Sequence, residues 1–342
     1  MSNGTPLLEV KNLKKYFVRT RGFRRQVTGN VKAVDDVSFT VHSGETLALV
    51  GESGCGKTTT GRCIQRAIDP SSGEVLFHTD EENAVDISML NRRDLKEIMT
   101  QMGMIFQDPF SSLNPRMTVF QTIAEPFVIH RTIKSREEMA DRVAELLRMV
   151  RLDPVYMMRY PHAFSGGQRQ RIAIARALAL MPKFIVADEP VSALDVSVQA
   201  QILELLRDLQ EEYGFAYLFI AHNLAVVEYF SERIAVMYVG KIVELTTARK
   251  LFSTPKHPYS EALFSAVPKP DPRHQKQRIL LSGEIADPAD PPTGCYFHPR
   301  CRFAKQICKE KEPPLVEVGG DSEEPHFAAC HFAEELQLSG VS

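Results

Sequence analysis

One octapeptide restricts the fold of this 342-residue chain more than any other feature: Gly51-Glu52-Ser53-Gly54-Cys55-Gly56-Lys57-Thr58. It fits the pattern G-x-x-x-x-G-K-S/T, and its neighbours are the ones that pattern requires. Ahead of it, Thr46-Leu47-Ala48-Leu49-Val50 is a short apolar run bounded by Gly44 and Gly51, which reads as a buried strand. Behind it, Lys57 to Ile68 carries a helical pattern that stops at Asp69-Pro70. Glycines let the backbone wrap an anion so that several N–H groups point inward, and the helix N-terminus adds the positive end of its dipole. Lys57 is then placed to reach the β- and γ-phosphates of a nucleotide, and the Thr58 hydroxyl, followed by Thr59, to ligate Mg²⁺. Cys55 reads as a small residue fitting the turn, with a thiol activated by the helix N-terminus as the alternative.

The rest of the pattern is α/β. Leu7 to Phe17 reads as an edge strand and Val34 to Val41 as a second strand. The basic stretch between them, Arg19, Arg21, Arg24, Arg25 and Lys32 around Gly22 and Gly29, reads as a solvated loop. Further strands are expected at Glu74 to Phe77, Phe184 to Ala187 and Tyr217 to Ala221, with a hairpin over Arg233 to Leu245 turning at Gly240-Lys241. Helices are expected at Ser135 to Val150, with Val143, Leu146, Leu147 and Val150 on one face, at Arg169 to Leu180 before Pro182, and at Val196 to Tyr213 before Gly214. Strands alternating with helices imply a largely parallel sheet. After Leu251 the chain turns Pro-rich, with Pro268, Pro270, Pro272, Pro288, Pro291 and Pro292. A boundary is expected near residue 255, giving domains 1–255 and 256–342.

Charge excludes one class of partner: 41 Lys+Arg against 43 Asp+Glu leave a formal −2, so nothing draws the chain to nucleic acid. No apolar run is long enough to span a bilayer, and Met1 to Lys15 lacks the features of a signal peptide. The expectation is a cytosolic chain that docks on something membrane-spanning. Cys55 and Cys63 lie in the N-terminal half, while Cys295, Cys301, Cys308 and Cys330 crowd the last 50 residues. In a reducing compartment such crowding indicates a metal site rather than disulfides. Four thiolates suffice for tetrahedral zinc or a 4Fe–4S cluster, with free buried cysteines as the third reading.

Two further segments carry chemistry. Phe184 to Glu189 is an apolar strand ending in carboxylates, which sets Asp188 where the Mg²⁺ of the phosphate loop would sit and leaves Glu189 to hold an attacking water. Phe164-Ser165-Gly166-Gly167-Gln168 stands directly before the helix from Arg169, so that Ser165 and the N–H groups near Gly167 form a second anion site. With these residues the chain resembles the ATP-binding subunits of ABC transporters, Phe164 standing where Leu is usual. The resemblance implies a P-loop NTPase core of the ABC ATPase type with an antiparallel β subdomain, a helical subdomain and a small Cys-containing C-terminal extension. It implies that Tyr16 stacks on adenine and that Gln107 contacts Mg²⁺ or the water. Asp195 would bridge the two nucleotide sites of a dimer, and His222 would contact the γ-phosphate. The signature, Ser165 to Gln168, would cap a nucleotide held by the partner subunit.

The segments FQDPFSSLNPR (Phe106 to Arg116) and PVSALDVSV (Pro190 to Val198), the run His257-Pro258-Tyr259 and Gly294-Cys295 are similar to the oligopeptide and dipeptide importer ATPases, in particular their "F" type. That likeness implies ATP hydrolysis coupled to peptide uptake at the cytoplasmic face of a bacterial inner membrane. The implied partners are a homologous "D"-type ATPase, two transmembrane permease subunits and, through the complex, a periplasmic peptide-binding protein. It also implies a 4Fe–4S cluster on the four C-terminal cysteines. Nickel, glutathione or another small solute is the alternative substrate, and a soluble ABC regulator the alternative function.

Overall fold

The computed structural model describes residues 6–21, 26–80, 83–108, 112–266, 279–320 and 324–340. Gly22, Arg24 and Arg25 of the basic stretch, Pro109 to Ser111, and Pro268, Pro270 and Pro272 lie outside these residues. In chain order there are strands β1 (Pro6–Arg21), β2 (Gln26–His42) and β3 (Thr46–Val50), helix α1 (Lys57–Ile64), and strands β4 (Ser72–His78) and β5 (Ala84–Asp86). Helix α2 (Arg92–Ile98), strand β6 (Met102–Ile105), helices α3 (Val119–His130), α4 (Arg136–Met149) and α5 (Gly166–Leu178), and strand β7 (Phe184–Asp188) follow. Next come α6 (Val196–Tyr213), β8 (Ala216–Ala221), α7 (Leu224–Phe230), β9 (Arg233–Tyr238) and β10 (Lys241–Thr247). The last elements are α8 (Ala248–Ser253), α9 (Pro258–Phe264), α10 (Gln306–Glu310), β11 (Val316–Glu317) and β12 (Phe327–Ala328). The chain divides into two compact units, one of Met1–Leu8, Val41–Glu45 and Phe77–Ile220, the other of Glu9–Thr40, Thr46–Leu76 and Ala221–Ser342.

In the first unit β6, β7 and β8 pair in parallel, with Met102 opposite Phe184 and Phe184 opposite Ala216. Every residue of β7 and β8 is buried, which is why both read as unbroken apolar runs. Helix α4 starts at the Ser135 cap and buries Val143, Leu146 and Leu147, the face its periodicity predicts. Helix α6 ends where predicted, at Gly214 in the left-handed region (φ 72°). Helix α5 begins three residues before the predicted Arg169, because Ser165 caps it and Gly166 and Gly167 form its first turn.

The second unit holds the phosphate loop. β1 lies between β2 and β4, so the predicted edge strand is an interior one. β1 runs on to Arg21 and β2 starts at Gln26, which replaces most of the predicted solvated loop with strand. β3 pairs in parallel with β9, β9 in antiparallel with β10, β10 with β12, and β12 with β11. The sheet is therefore mixed, and residues past 255 supply strands to it. Helix α1 stops at Ile64, four residues short of the prediction, because Arg66 takes a left-handed φ of 50° and pairs with Asp69 at 3.0 Å. The β9–β10 turn falls at Val239-Gly240, with Lys241 already in β10.

Candidate functional site

The phosphate loop connects β3, buried throughout, to α1. Gly56 has φ 109°, and a Cβ there would stand 2.1 Å from the Ala33 carbonyl oxygen, so only glycine fits. The buried Lys57 ammonium donates to the carbonyls of Gly51 (2.8 Å) and Glu52 (3.0 Å), which holds it across the loop. Thr58 and Thr59 are half-buried in the first turn of α1, and Ser53 and Gly54 are exposed. Cys55 is buried, and burial raises its thiol pKa despite the Lys57 ammonium beside it. It fills the turn, and the activated-thiol alternative is set aside. Glu52 is held twice: its N–H donates to the Tyr259 hydroxyl (2.9 Å), and its carboxylate accepts both ends of the Arg300 guanidinium, at 2.7 and 3.1 Å.

Tyr16 belongs to the same unit. Its ring is half-buried, with the Lys32 ammonium 5.9 Å from the ring centre, and its hydroxyl donates to Asp35. Burial first, and then this bond to a carboxylate, raise the phenol pKa above its usual range. Burial works against an ionised Asp35, but the Tyr16 hydrogen bond, the Lys241 ammonium, the Tyr296 hydrogen bond and Lys32 outweigh it and hold the carboxyl below its ordinary value. His222 is exposed directly after β8, and the Asn223 side chain next to it caps α7 by accepting from the Ala225 N–H at 3.1 Å.

The first unit brings together the two residues assigned to the water. The Gln107 Nε2 amide donates to Glu189 Oε2 at 2.8 Å. Glu189 sits at φ 47°, a left-handed conformation costly for a residue with a Cβ. It is held there because its N–H donates to the Ile220 carbonyl (2.9 Å) while its own carbonyl accepts the Ser192 N–H (3.2 Å) and hydroxyl (3.1 Å). Asp188 is buried at the end of β7. Asp195 caps α6 through its backbone carbonyl, which accepts from Val198 (2.9 Å) and Gln199 (2.8 Å). The Gln199 side chain pins the preceding loop at the Val191 and Leu194 carbonyls.

Ser165 and Gln168 form a reciprocal capping box at the start of α5, Ser165 Oγ accepting from the Gln168 N–H and Gln168 Oε1 from the Ser165 N–H. A Cβ at Gly167 would stand 2.5 Å from Val198 Cγ1, so this turn packs directly on the start of α6. Phe164 is buried edge-on to Tyr156, ring centres 5.6 Å apart. The first unit thus carries a positioned carboxylate beside an amide and, separately, a capped helix start fit for an anion.

Comparison with known proteins agrees with this geometry. The ABC transporter family matches residues 34–192, and the family described as the C-terminal region of oligopeptide/dipeptide transporters matches 243–308. The oligopeptide transport ATP-binding protein AppF of Bacillus subtilis (strain 168) is 51% identical over 97% of this chain and 98% of its own length. This chain belongs to the ABC transporter ATP-binding proteins. A second relative, a probable peptide ABC transporter ATP-binding protein, y4tS, of Sinorhizobium fredii, is 50% identical over 98% of this chain and 92% of its own. Among solved structures, the dimeric ATP-binding cassette MJ0796 in a post-hydrolysis state with ADP and Pi superposes with a TM-score of 0.61 at 31% identity. It covers 71% of this chain and 99% of its own. The protein is therefore an ABC ATPase, with the α/β cassette fold.

The remaining chemistry of this ABC ATPase lies near its C-terminal end. Cys295, Cys301, Cys308 and Cys330 line one small pocket with His257, Phe297 and Phe332. Burial, and then the neighbouring thiols, push Cys295 up to about 12, and burial pushes Cys330 up to about 11. A single tetrahedral ion would draw the sulfurs to within about 4 Å of one another. Among the described residues no three His, Cys, Asp or Glu side chains are so arranged. Sequence reasoning missed the buried Glu244, whose carboxylate accepts the Lys256 (2.6 Å) and His257 (2.9 Å) N–H groups and meets His326 Nε2 at 2.7 Å. It also missed Arg300, Tyr259 and Tyr296 as partners of the phosphate-loop unit. An Arg and two Tyr in a Pro-rich tail have no periodicity that could have marked them.

Proposed function

We propose that this ABC ATPase energises a bacterial importer of dipeptides or oligopeptides. The observation that carries the reading is the likeness to the oligopeptide transport ATP-binding protein AppF across 97% of the chain, including the 243–308 region particular to such transporters. The residue roles are those that the phosphate-loop chemistry and the family resemblance imply. The loop from Gly51 to Thr59 with Lys57 binds the phosphates, Tyr16 stacks on adenine, and His222 positions the γ-phosphate. Glu189 is the base that takes a proton from the attacking water, and Gln107, donating to its Oε2, orients that carboxylate. Thr58, Gln107 and Asp188 would hold Mg²⁺, which when bound offsets the charge of the β- and γ-phosphates.

The helix start at Ser165 to Gln168 caps the nucleotide of a second cassette, and Asp195 lies at that junction. The partner cassette is a homologous "D"-type subunit, and closure of the pair drives two permease subunits served by a periplasmic peptide-binding protein. Among the described residues no helix is long and apolar enough to cross a membrane. In this reading, attachment at the cytoplasmic face of the inner membrane runs through the permeases. Residues 1–255 act as the cassette and 256–342 as the importer-type extension.

The four cysteines of the extension are the groups that would hold a 4Fe–4S cluster. What supports that reading is that all four cysteines line one pocket, four thiolates being the ligand set such a cluster takes. Such a cluster would supply folding energy to a small segment whose own apolar centre is Val318, Ala328 and Ala333 with Cys330. Uptake of labelled di- and tripeptides by cells lacking this chain, complemented with wild type or with Lys57→Ala, tests the transport reading. Uptake restored by wild type alone is expected; uptake unchanged by loss of the chain would sink it.

A further inference from the structure

The five residues between Cys295 and Cys301 reach the nucleotide-binding elements of their own unit at two places. Arg300 makes the bidentate pair with Glu52, inside the phosphate loop. Tyr296 donates its hydroxyl to Asp35 Oδ2 at 3.0 Å, while Asp35 Oδ1 accepts the Tyr16 phenol. Asp35 is tied to the phosphate loop as well: its N–H donates to the Gly240 carbonyl and the Gly240 N–H donates to the Cys55 carbonyl, each at 2.8 Å. Between the two contacts, buried Phe297 packs on Tyr238 and on Tyr259, ring centres 5.3 and 5.4 Å away, and the Tyr259 hydroxyl receives the Glu52 N–H.

The charge arrangement gives these contacts a direction. Glu52 sets a carboxylate within a loop that receives a polyanion. That charge repels the ligand unless a cation answers it, and Arg300, itself 9% exposed, is that cation. We infer that the strap Tyr296–Arg300 is a positioning device for nucleotide, Arg300 neutralising Glu52 beside the phosphates and Tyr296 fixing Asp35 and through it Tyr16. The inference rests on the reading of Gly51 to Thr59 as the nucleotide site.

The test is equilibrium binding of ATP and ADP to the purified full-length chain, wild type against variants, with no hydrolysis needed. Arg300→Met is expected to weaken ATP about tenfold and ADP less, since it leaves a bare carboxylate facing the larger polyanion. Arg300→Lys recovers part of that loss. Glu52→Gln, which leaves Arg300 unanswered, is expected to bind ATP more tightly than wild type, and Glu52→Gln added to Arg300→Met restores what the single change lost. Tyr296→Phe weakens ATP and ADP alike, because adenine is common to both. Equal ATP affinity in wild type and Arg300→Met, or a double variant as weak as Arg300→Met, would overturn the strap, because a merely destabilised loop is not repaired by a second substitution. Lys57→Ala separates the premise: if it binds ATP like wild type, the nucleotide-site reading fails and the inference with it.

Discussion

At the scale of single residues the decisive contact is Gln107 to Glu189, a hydrogen bond joining positions 82 apart in sequence. Both residues were legible beforehand, since Glu189 follows an apolar strand and Gln107 stands in a segment with a family likeness. What the sequence could not convey is that Glu189 is held at φ 47° by three hydrogen bonds through its own backbone, a strain kept at the position assigned the chemistry. Glu189→Gln keeps the shape and removes the proton acceptor. Its kcat is expected to fall by about 10²–10⁴-fold while ATP affinity holds, which single-turnover kinetics beside equilibrium binding would read. Gln107→Ala frees the carboxylate without removing it and is expected to lower kcat by a smaller factor in the same assay. A larger loss than for Glu189→Gln would reverse the two assignments.

Elements were legible wherever one kind of burial covers their whole length. Fully buried β7 and β8 and one-faced α4 and α6 follow their apolar patterns almost to the residue. The misses arose where local rules compete with packing. Helix α3 contains Pro126, which argues against helix in sequence, yet a Thr118–Gln121 capping box starts it well. The sequence places the start of helix α5 at Arg169, with Ser165 and Gly167 ahead of it as an anion site, whereas Ser165 caps both glycines into the first turn. Ser165→Ala removes that cap and is expected to cost about 1 kcal/mol in urea unfolding. Strand β10 depends on a different device, the buried Glu244 carboxylate that joins it to Lys256, His257 and His326. Glu244→Ala leaves the buried His257 N–H, the partly buried Lys256 N–H and the His326 ring without their acceptor. The expected loss is about 3 kcal/mol in the same measurement, well above that of the helix cap.

For the whole molecule, the cassette could be read from ordered motifs, whereas the extension could not, because its structure comes from long-range polar contacts rather than periodic burial. Glu52 and Arg300 are 248 residues apart, and nothing local in either segment announces the pair. If the proposed roles hold, a cassette carrying both a phosphate loop and a signature helix start holds one half of each of two composite sites, and pairing then depends on nucleotide. With ATP bound and hydrolysis blocked by Glu189→Gln, a mixture of this chain and the homologous ATPase proposed as its partner is expected to sediment as a dimer. Without nucleotide, or after wild-type turnover to ADP, it should return to monomers, because the γ-phosphate is the group assigned to the signature. Replacing Ser165 and Gly167 in this chain should abolish the shift while leaving ATP binding to its own phosphate loop intact, since that signature is assigned to the nucleotide of the partner. Loss of binding to its own loop in that variant would mean that both motifs serve one nucleotide within a single chain, and the composite-site account would be wrong.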